Sequence, residues 1–314
     1  MLENRIPVII IFAPTACGKT AMARNVFGSG SLSVFKEKGE VVSADSQAVY
    51  IGMDIGTAKP SSDECKIIPH HLINLATPEK QFGLGEWMDF ADRSCREIWS
   101  RKKIPIVVGG TGFYLKNFIL GMTHAPESNP EIRNQIKSHL AEAGKEKLYA
   151  ELQLVDSASA TKINRNDEYR ICRALEVYYT SGKPLSFYEM PKLPRAQYDF
   201  CTIILTRQKE ELYKRIDERV EIMFNSGLEK EVQSLISKGY TKESPGMKAI
   251  GYSEFFNSSL SSIEEIKAQI KLDSHHYAKK QYTYMRGIPG AVTIPAEDEN
   301  LFVKTITPFC EKYL

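Results

Sequence analysis

The sequence has no long apolar run. Stretches such as Val8 to Phe12 and Ile104 to Val108 are far too short to cross a bilayer, so no membrane partner is expected. Its N-terminus shows neither the basic region nor the cleavage pattern of a secretory leader, and the expected location is cytoplasmic. Cysteine is sparse and scattered: Cys17, Cys65, Cys95, Cys172, Cys201 and Cys310 form no C-x-x-C pair and have no histidine at ligand spacing. That argues against a zinc site and reads as reduced core filler, with Cys17 a spacer in its loop. An excess of one charge is also lacking. With 41 Lys and Arg against 39 Asp and Glu the net charge is +2, so any contact with nucleic acid must come from local patches. What is present, 314 residues with 42% hydrophobic content, suffices for a full core and reads more readily as two lobes than one.

The chain is organised around Val8-Ile-Ile-Ile-Phe-Ala-Pro-Thr-Ala-Cys-Gly-Lys-Thr20. A continuous apolar run fits a buried strand, Gly18 permits a tight loop, and Thr20 onward is a good helix start. Strand, loop and helix in this order present backbone N–H groups and a helix N-terminus to an anion, with Lys19 as an added positive charge. The expected guest is a phosphate or diphosphate. The match to G-x-x-x-x-G-K-[ST] is incomplete, because Ala13 occupies the first glycine position. A left-handed backbone there would cost on the order of 1 kcal/mol.

A second strand over Gly39 to Ser46 ends on Asp45, at the side of a parallel sheet where ligand sites collect. Position alone leaves Asp45 either facing that crevice or solvated in a turn. Gly52 to Pro60 reads as a loop over the site. His70 and His71 are adjacent and point apart, which favours structural roles over a shared metal. Apolar residues from Leu84 to Trp99 repeat at helical spacing up to a basic end. Ile104 to Gly112 then repeats the opening pattern, and Thr111 either offers its hydroxyl to a ligand or sits in a glycine turn that allows close packing.

From Asn129-Pro130 to about Gly182 the chain reads as consecutive helices, an insertion whose last helix carries Arg170 and Arg173. Asp199 to Thr206 returns to the sheet. The helix over Lys209 to Asn225, and the one begun at Gly227-Leu228, carry no evident chemistry. Lys248 and Tyr252 either touch a ligand or cap a helix. On the final long helix, Ser262 to Met285, the residues His275, Lys279 and Thr283 share a face that runs on to Arg286, with tyrosines nearby; such a face contacts phosphate and RNA or is simply solvated. These elements define an α/β class: a P-loop NTPase-like core with a parallel sheet flanked by helices, over 1–122 and 197–314, interrupted by an all-helical insertion over 123–196.

Taken together, Ala13 to Thr20, Ser43-Ala-Asp-Ser46, Gly52 to Pro60, Pro69-His-His-Leu72, Gly109-Gly-Thr-Gly112, Asn166-Asp167 with Arg170 and Arg173, Ala249-Ile-Gly-Tyr252, and Ala278-Lys-Lys-Gln281 with Arg286 resemble the tRNA dimethylallyltransferases. The resemblance implies transfer of the dimethylallyl group of dimethylallyl diphosphate to N6 of the adenine immediately 3′ of the anticodon. It implies a diphosphate cradle of Ala13, Pro14, Thr15, Ala16, Cys17, Gly18, Lys19 and Thr20, assisted by Lys279, Lys280 and Arg286. Asp45 would be the base for the exocyclic amine, Lys19 and Thr20 would neutralise the leaving group with Mg2+ held by Thr20, and Thr111 would complete the catalytic set.

By the same resemblance, tRNA would be contacted by Asp45, Ser46, Gln47, Ala48, Thr111, Arg133, Tyr169, Arg170, Ile171, Cys172, Arg173, Lys248, Ala249, Ile250, Gly251, Tyr252 and Ser253. The adenine would have to leave its stack. A monomer is expected. Three departures stand out: Gln47-Ala48 replaces a residue followed by glutamine, and His275 and Lys280 stand where arginines are common, losing the bidentate fork. Two competing readings are a P-loop small-molecule or nucleoside kinase and a non-catalytic tRNA-binding module.

Overall fold

A computed structural model of the chain describes residues 5–314. The N-terminal segment read above for a leader includes residues 1–4, which lie outside the described residues. The chain divides into two compact units, Leu120–Pro194 and the remainder on either side of it.

The larger unit is built on strands β1 (Ile6–Phe12), β2 (Gly39–Ala44), β3 (His70–His71), β4 (Ile104–Gly109), β5 (Tyr198–Thr206) and β6 (Val292–Pro295). They form one sheet in the order β3-β2-β4-β1-β5-β6, and every pairing is parallel. Strands covered on both faces need no alternation, which is why β1 and β4 read as unbroken apolar runs. In β1, Val8 through Phe12 have no exposed surface. Its register sets Phe12 beside Gly109 of β4 and Ile204 of β5, so the three central strands end together.

Helices α1 (Lys19–Phe27), α2 (Ser62–Ile67), α3 (Leu84–Ser100) and α4 (Gly112–Leu120) alternate with the first strands. In α3, Trp87, Ala91, Cys95 and Ile98 face the core. Trp87 is fully buried, stacks on Tyr114 at 4.7 Å and donates its indole N–H to Ser43 O, so it packs rather than binds a base.

The smaller unit consists of α5 (Pro130–Ala143), α6 (Lys145–Val155), α7 (Ser157–Ala160) and α8 (Glu168–Ser181), packed around Ile136, Leu148, Leu152, Ile171 and Leu175. Asn129 and Asp167 cap α5 and α8 through their side chains. The larger unit resumes with β5, then α9 (Lys209–Asn225), α10 (Leu228–Ser237), α11 (Ile263–Met285) and, after β6, α12 (Glu299–Glu311).

The edge strands β3 and β6 carry no sequence signal, being two and four residues long. His71 Nε2 lies 2.8 Å from Glu40 Oε2, and His70 Nδ1 lies 2.8 Å from Ile68 O, so the histidine pair fastens an edge.

Candidate active site

The turn after β1 is a set of N–H groups aimed outward. Ala16 and Gly18 both take the left-handed conformation, at φ 59° and 110°, whereas Ala13 does not. The substitution of the first glycine by Ala13 therefore carries no backbone strain, and the strain falls at Ala16. Helix α1 starts without a side-chain cap and without an acidic residue in its first turn. The N–H groups of Gly18, Lys19 and Thr20 donate to nothing among the described residues. An uncapped helix start with a glycine turn before it is a ready anion site.

Not all of the eight residues Ala13 to Thr20 contribute to that cradle. Ala13 N donates to Gly109 O, and the Ala13 and Cys17 side chains are buried. Pro14 has no N–H, and its carbonyl accepts from Lys19 Nζ at 3.0 Å. Thr15 N donates to Gln281 Oε1 at 3.0 Å and Cys17 N to Pro14 O. The groups left to form the cradle are Ala16, Gly18, Lys19 and Thr20, while Thr15 lines the neighbouring cavity beside Asp45. Burial pushes the Cys17 thiol up to about 11, which keeps it protonated and unreactive.

Two cavities flank this turn. The first, of about 340 Å³, is lined by Ala16, Gly18, Lys19 and Thr20 and, from α9, by Arg215 and Arg219. The second, of about 310 Å³, is lined by Asp45, Ser46 and Gln47 and by Lys248, Ala249, Ile250 and Gly251. An apolar wall of Ile216, Val220, Met223 and Ile270 completes it, with Ser274 and Tyr277 from α11. Arg219 lines both cavities. Lys19 is lowered to about 8, by burial first and then by the nearby Arg219 guanidinium, with Asp45 opposing both.

Asp45 forms an Asx turn in which Oδ1 accepts from Gln47 N at 2.9 Å and from Ala48 N at 3.4 Å. Ser46 N donates to Thr111 Oγ1 at 3.0 Å, tying the acidic turn to the glycine turn after β4. Thr111 thus positions Ser46. The buried phenol of Tyr277 is pushed up to about 12, by burial first and then by Asp45, with hydrogen bonds from its own neighbours Thr111 and Gln281 opposing.

Several expected contact residues are turned elsewhere. Tyr252 is fully buried and donates its hydroxyl to Glu231 at 2.6 Å, so its ring supports a loop instead of facing a ligand. Ala48 is buried beneath its turn, and Ser253 opens a short 3₁₀ helix. In the smaller unit Ile171 and Cys172 pack into its core. Arg133 and Arg173 pair with the buried Glu176, at 3.8 and 3.0 Å, while Arg170 and Tyr169 are exposed, the Arg133 guanidinium lying 5.7 Å from the Tyr169 ring centre. Lys279, Lys280 and Arg286 are exposed and line neither cavity, because the buried side of α11 runs through Ala278, Gln281 and Met285.

Conversely, α9, which showed no chemistry in the sequence, supplies Arg215 and Arg219. Arg215 Nε donates to Ala16 O at 2.9 Å, and Arg207 Nε, just past β5, donates to Cys17 O at 2.8 Å. These two guanidiniums hold the loop carbonyls away from the cradle. Gln281 joins the glycine turns by donating to Gly110 O at 2.8 Å while accepting from Thr15 N. The i, i+4 spacing of Arg215 and Arg219 on a helix leaving a sheet strand was the only sequence signal for this pair.

A parallel sheet that feeds a Gly-Lys-Thr turn into an uncapped helix, beside a cavity with an acidic rim and an apolar wall, defines a P-loop-like α/β protein. The IPP transferase family model matches residues 48–288. A tRNA dimethylallyltransferase of Roseiflexus sp. strain RS-1 is 40% identical over 300 residues, covering 94% of this chain and 95% of the relative. One of Geobacter sulfurreducens is 37% identical over 303 residues, covering 95% of each. Among solved structures, the full-length tRNA isopentenylpyrophosphate transferase of Bacillus halodurans matches with a TM-score of 0.69 at 29% identity over 98% of both chains. A eukaryotic dimethylallyltransferase acting on tRNA matches at 0.80 and 26% identity, over 98% of this chain and 80% of that one. The chain belongs to the IPP transferase family, among relatives named tRNA dimethylallyltransferases.

Proposed function

We propose that the protein transfers the dimethylallyl group of dimethylallyl diphosphate to N6 of the adenine 3′-adjacent to the anticodon of tRNA. The observation that carries this reading is the pair of cavities sharing Arg219: one that sets Lys19, Arg215 and Arg219, with Glu64 and Glu218 also in its wall, against the uncapped start of α1, and one with a carboxylate and an apolar wall. An allylic diphosphate has the same division, a dianionic or more highly charged head and a hydrocarbon tail.

In this reading the N–H groups of Gly18, Lys19 and Thr20, with Lys19, Arg215 and Arg219, receive the diphosphate and stabilise the charge that builds on it as the allylic bond breaks. Ile216, Val220 and Met223 exclude water from the allyl group. Asp45 takes the proton from the adenine amine as it attacks, and its charge favours the cationic allyl carbon. The amine lone pair is delocalised into the ring, so attack needs that proton acceptor. Thr111 acts through Ser46, keeping the acidic turn in register. Ser46, Gln47 and the stretch Lys248 to Gly251 frame an extruded base. On the smaller unit, Arg170 and Tyr169 are the exposed groups suited to phosphate and base contact, while Arg133 and Arg173 first serve Glu176.

Mg2+ fits this site as a partner of the diphosphate. Among the described residues no group of three or more His, Cys, Asp or Glu converges on a metal position. Mg2+ characteristically keeps its waters and takes phosphate oxygens, so the exposed Thr20 hydroxyl would be the protein's contribution. When bound, the ion supplies charge neutralisation to the leaving diphosphate. Among the described residues no helix is long and apolar enough to span a membrane. The reading takes the protein to act as a monomer in the cytoplasm, where tRNA is found.

A kinase reading would use the same loop, but an apolar wall facing Asp45 has no role in phosphoryl transfer to a polar acceptor. The relatives' names do not favour it either. The test is to incubate the protein with labelled dimethylallyl diphosphate, Mg2+ and either undermodified tRNA or AMP. Label should enter tRNA. Transfer to AMP alone, or tRNA binding without transfer, contradicts the proposal.

A further inference from the structure

The loop over the cavities, Gly52 to Pro60, is fastened by one carboxylate. Glu231 on α10 accepts from three successive backbone N–H groups, those of Asp54 at 3.0 Å, Ile55 at 2.9 Å and Gly56 at 3.2 Å. It also accepts from the Tyr252 hydroxyl at 2.6 Å, and that hydroxyl in turn accepts from Gly56 N at 3.1 Å. Consecutive N–H groups curled around an oxygen form an anion nest, here filled by the protein's own side chain. Gly56 is required at this point, because a Cβ would lie 2.4 Å from the Tyr252 ring. The far end of the loop is held by Lys59, whose buried ammonium donates to Tyr50 O, Asn74 Oδ1 and, back at the nest, Asp54 Oδ1.

Between these anchors lies Thr57, which lines the cavity beside Asp45 and whose carbonyl accepts from Arg219 Nη2 at 3.3 Å. Arg219 is the guanidinium common to both cavities. We propose that Glu231 is a positioning residue: by filling the Asp54–Gly56 nest it sets Thr57 O, and Thr57 O in turn aims Arg219 at the diphosphate. Nothing in Glu231 touches either cavity, so its effect on the reaction runs through the loop and the arginine. The role in turnover rests on the function proposed above; the coupling to diphosphate binding does not.

The test compares Glu231→Gln, Tyr252→Phe, Arg219→Met and the double variant Glu231→Gln with Arg219→Met in the full chain. Thermal unfolding establishes folding, and calorimetry measures binding of inorganic diphosphate with Mg2+ and no acceptor. A displaced charged contact of this kind costs about tenfold, so Glu231→Gln should weaken diphosphate binding by that factor, with kcat falling and the KM for tRNA changing less than twofold. Tyr252→Phe should shift both in the same direction by about threefold, since it removes one of the four donors. In the Arg219→Met background Glu231→Gln should add no further loss. A folded Glu231→Gln protein with unchanged diphosphate affinity, or losses that add fully in the double variant, would overturn the proposal. If Glu231→Gln does not fold, the same cycle with Tyr252→Phe decides, full additivity again overturning it. Coupling that persists in a protein unable to transfer label to tRNA would defeat the functional reading and leave the positioning role standing.

Discussion

Two glycine-rich turns end neighbouring strands of the same sheet, and they use glycine for opposite reasons. In the turn after β1, Gly18 is there for its left-handed backbone: a Cβ on it would meet only Arg207 Nη2, at 3.7 Å. In the turn after β4 the backbone is ordinary and space is the constraint. A Cβ on Gly109 would lie 2.1 Å from Ala44 O, one on Gly110 2.3 Å from Gln281 Nε2, and one on Gly112 2.8 Å from Tyr284 Cβ. The first turn is open so that N–H groups can meet an anion. The second is filled, and through Thr111 it fixes the acidic turn that carries Asp45. One motif class thus builds the leaving-group side and braces the acceptor side.

The largest effect that separates the two sides is expected at Asp45. A general base contributes about a thousandfold, so Asp45→Asn should lower kcat by that order while leaving inorganic diphosphate affinity within twofold. Comparable losses in both would make Asp45 a structural residue. Next comes Gly109→Ala, where overpacking against backbone should cost about 3 kcal/mol in chemical unfolding. Lys19→Met removes a charge-assisted contact and should weaken diphosphate binding by about thirtyfold with little change in tRNA affinity. Gly18→Ala should cost only about 1 kcal/mol of stability, for the strained φ, yet disturb diphosphate binding more than Gly109→Ala does in whatever fraction of that variant folds.

The smallest predicted effect is in pH dependence. Lys19 in the free protein sits at about 8, below its ordinary value, so it is charged below that pH and neutral above it. Diphosphate affinity should therefore fall by about fourfold between pH 7 and 8.5 from this group, and Lys19→Met should lack that component when the two profiles are compared.

The parts legible in the sequence are those whose signal is local. Val8 to Phe12 and Ile104 to Val108 are apolar without interruption because both faces of their strands are covered, and Gly18-Lys19-Thr20 is dense enough to mark an anion turn. The helices α3, α9 and α11 follow from apolar spacing, and α11 also from its cap at Ser262. Illegible features depend on contacts made far along the chain. Arg219 lies among the many charges of α9, and only the fold distinguishes it from a solvated neighbour such as Lys214. Tyr252 sits in a polar stretch that resembles a ligand loop, yet it is buried because Gly56, 196 residues earlier, leaves room for its ring. On α11 the basic run drew attention to Lys279, Lys280 and Arg286, whereas Ser274 and Tyr277 line the cavity and the buried Gln281 ties the two glycine turns. Charge marks the outside of a helix at least as often as it marks a site.

The most direct test of the central claim is to isolate tRNA after reaction with labelled dimethylallyl diphosphate, digest it to nucleosides and locate the label. It should be found on N6 of one adenosine, the residue 3′-adjacent to the anticodon, and be absent when Asp45→Asn replaces the native protein under the same conditions. Label on any other nucleoside, or equal labelling by the Asp45→Asn variant, would contradict the account.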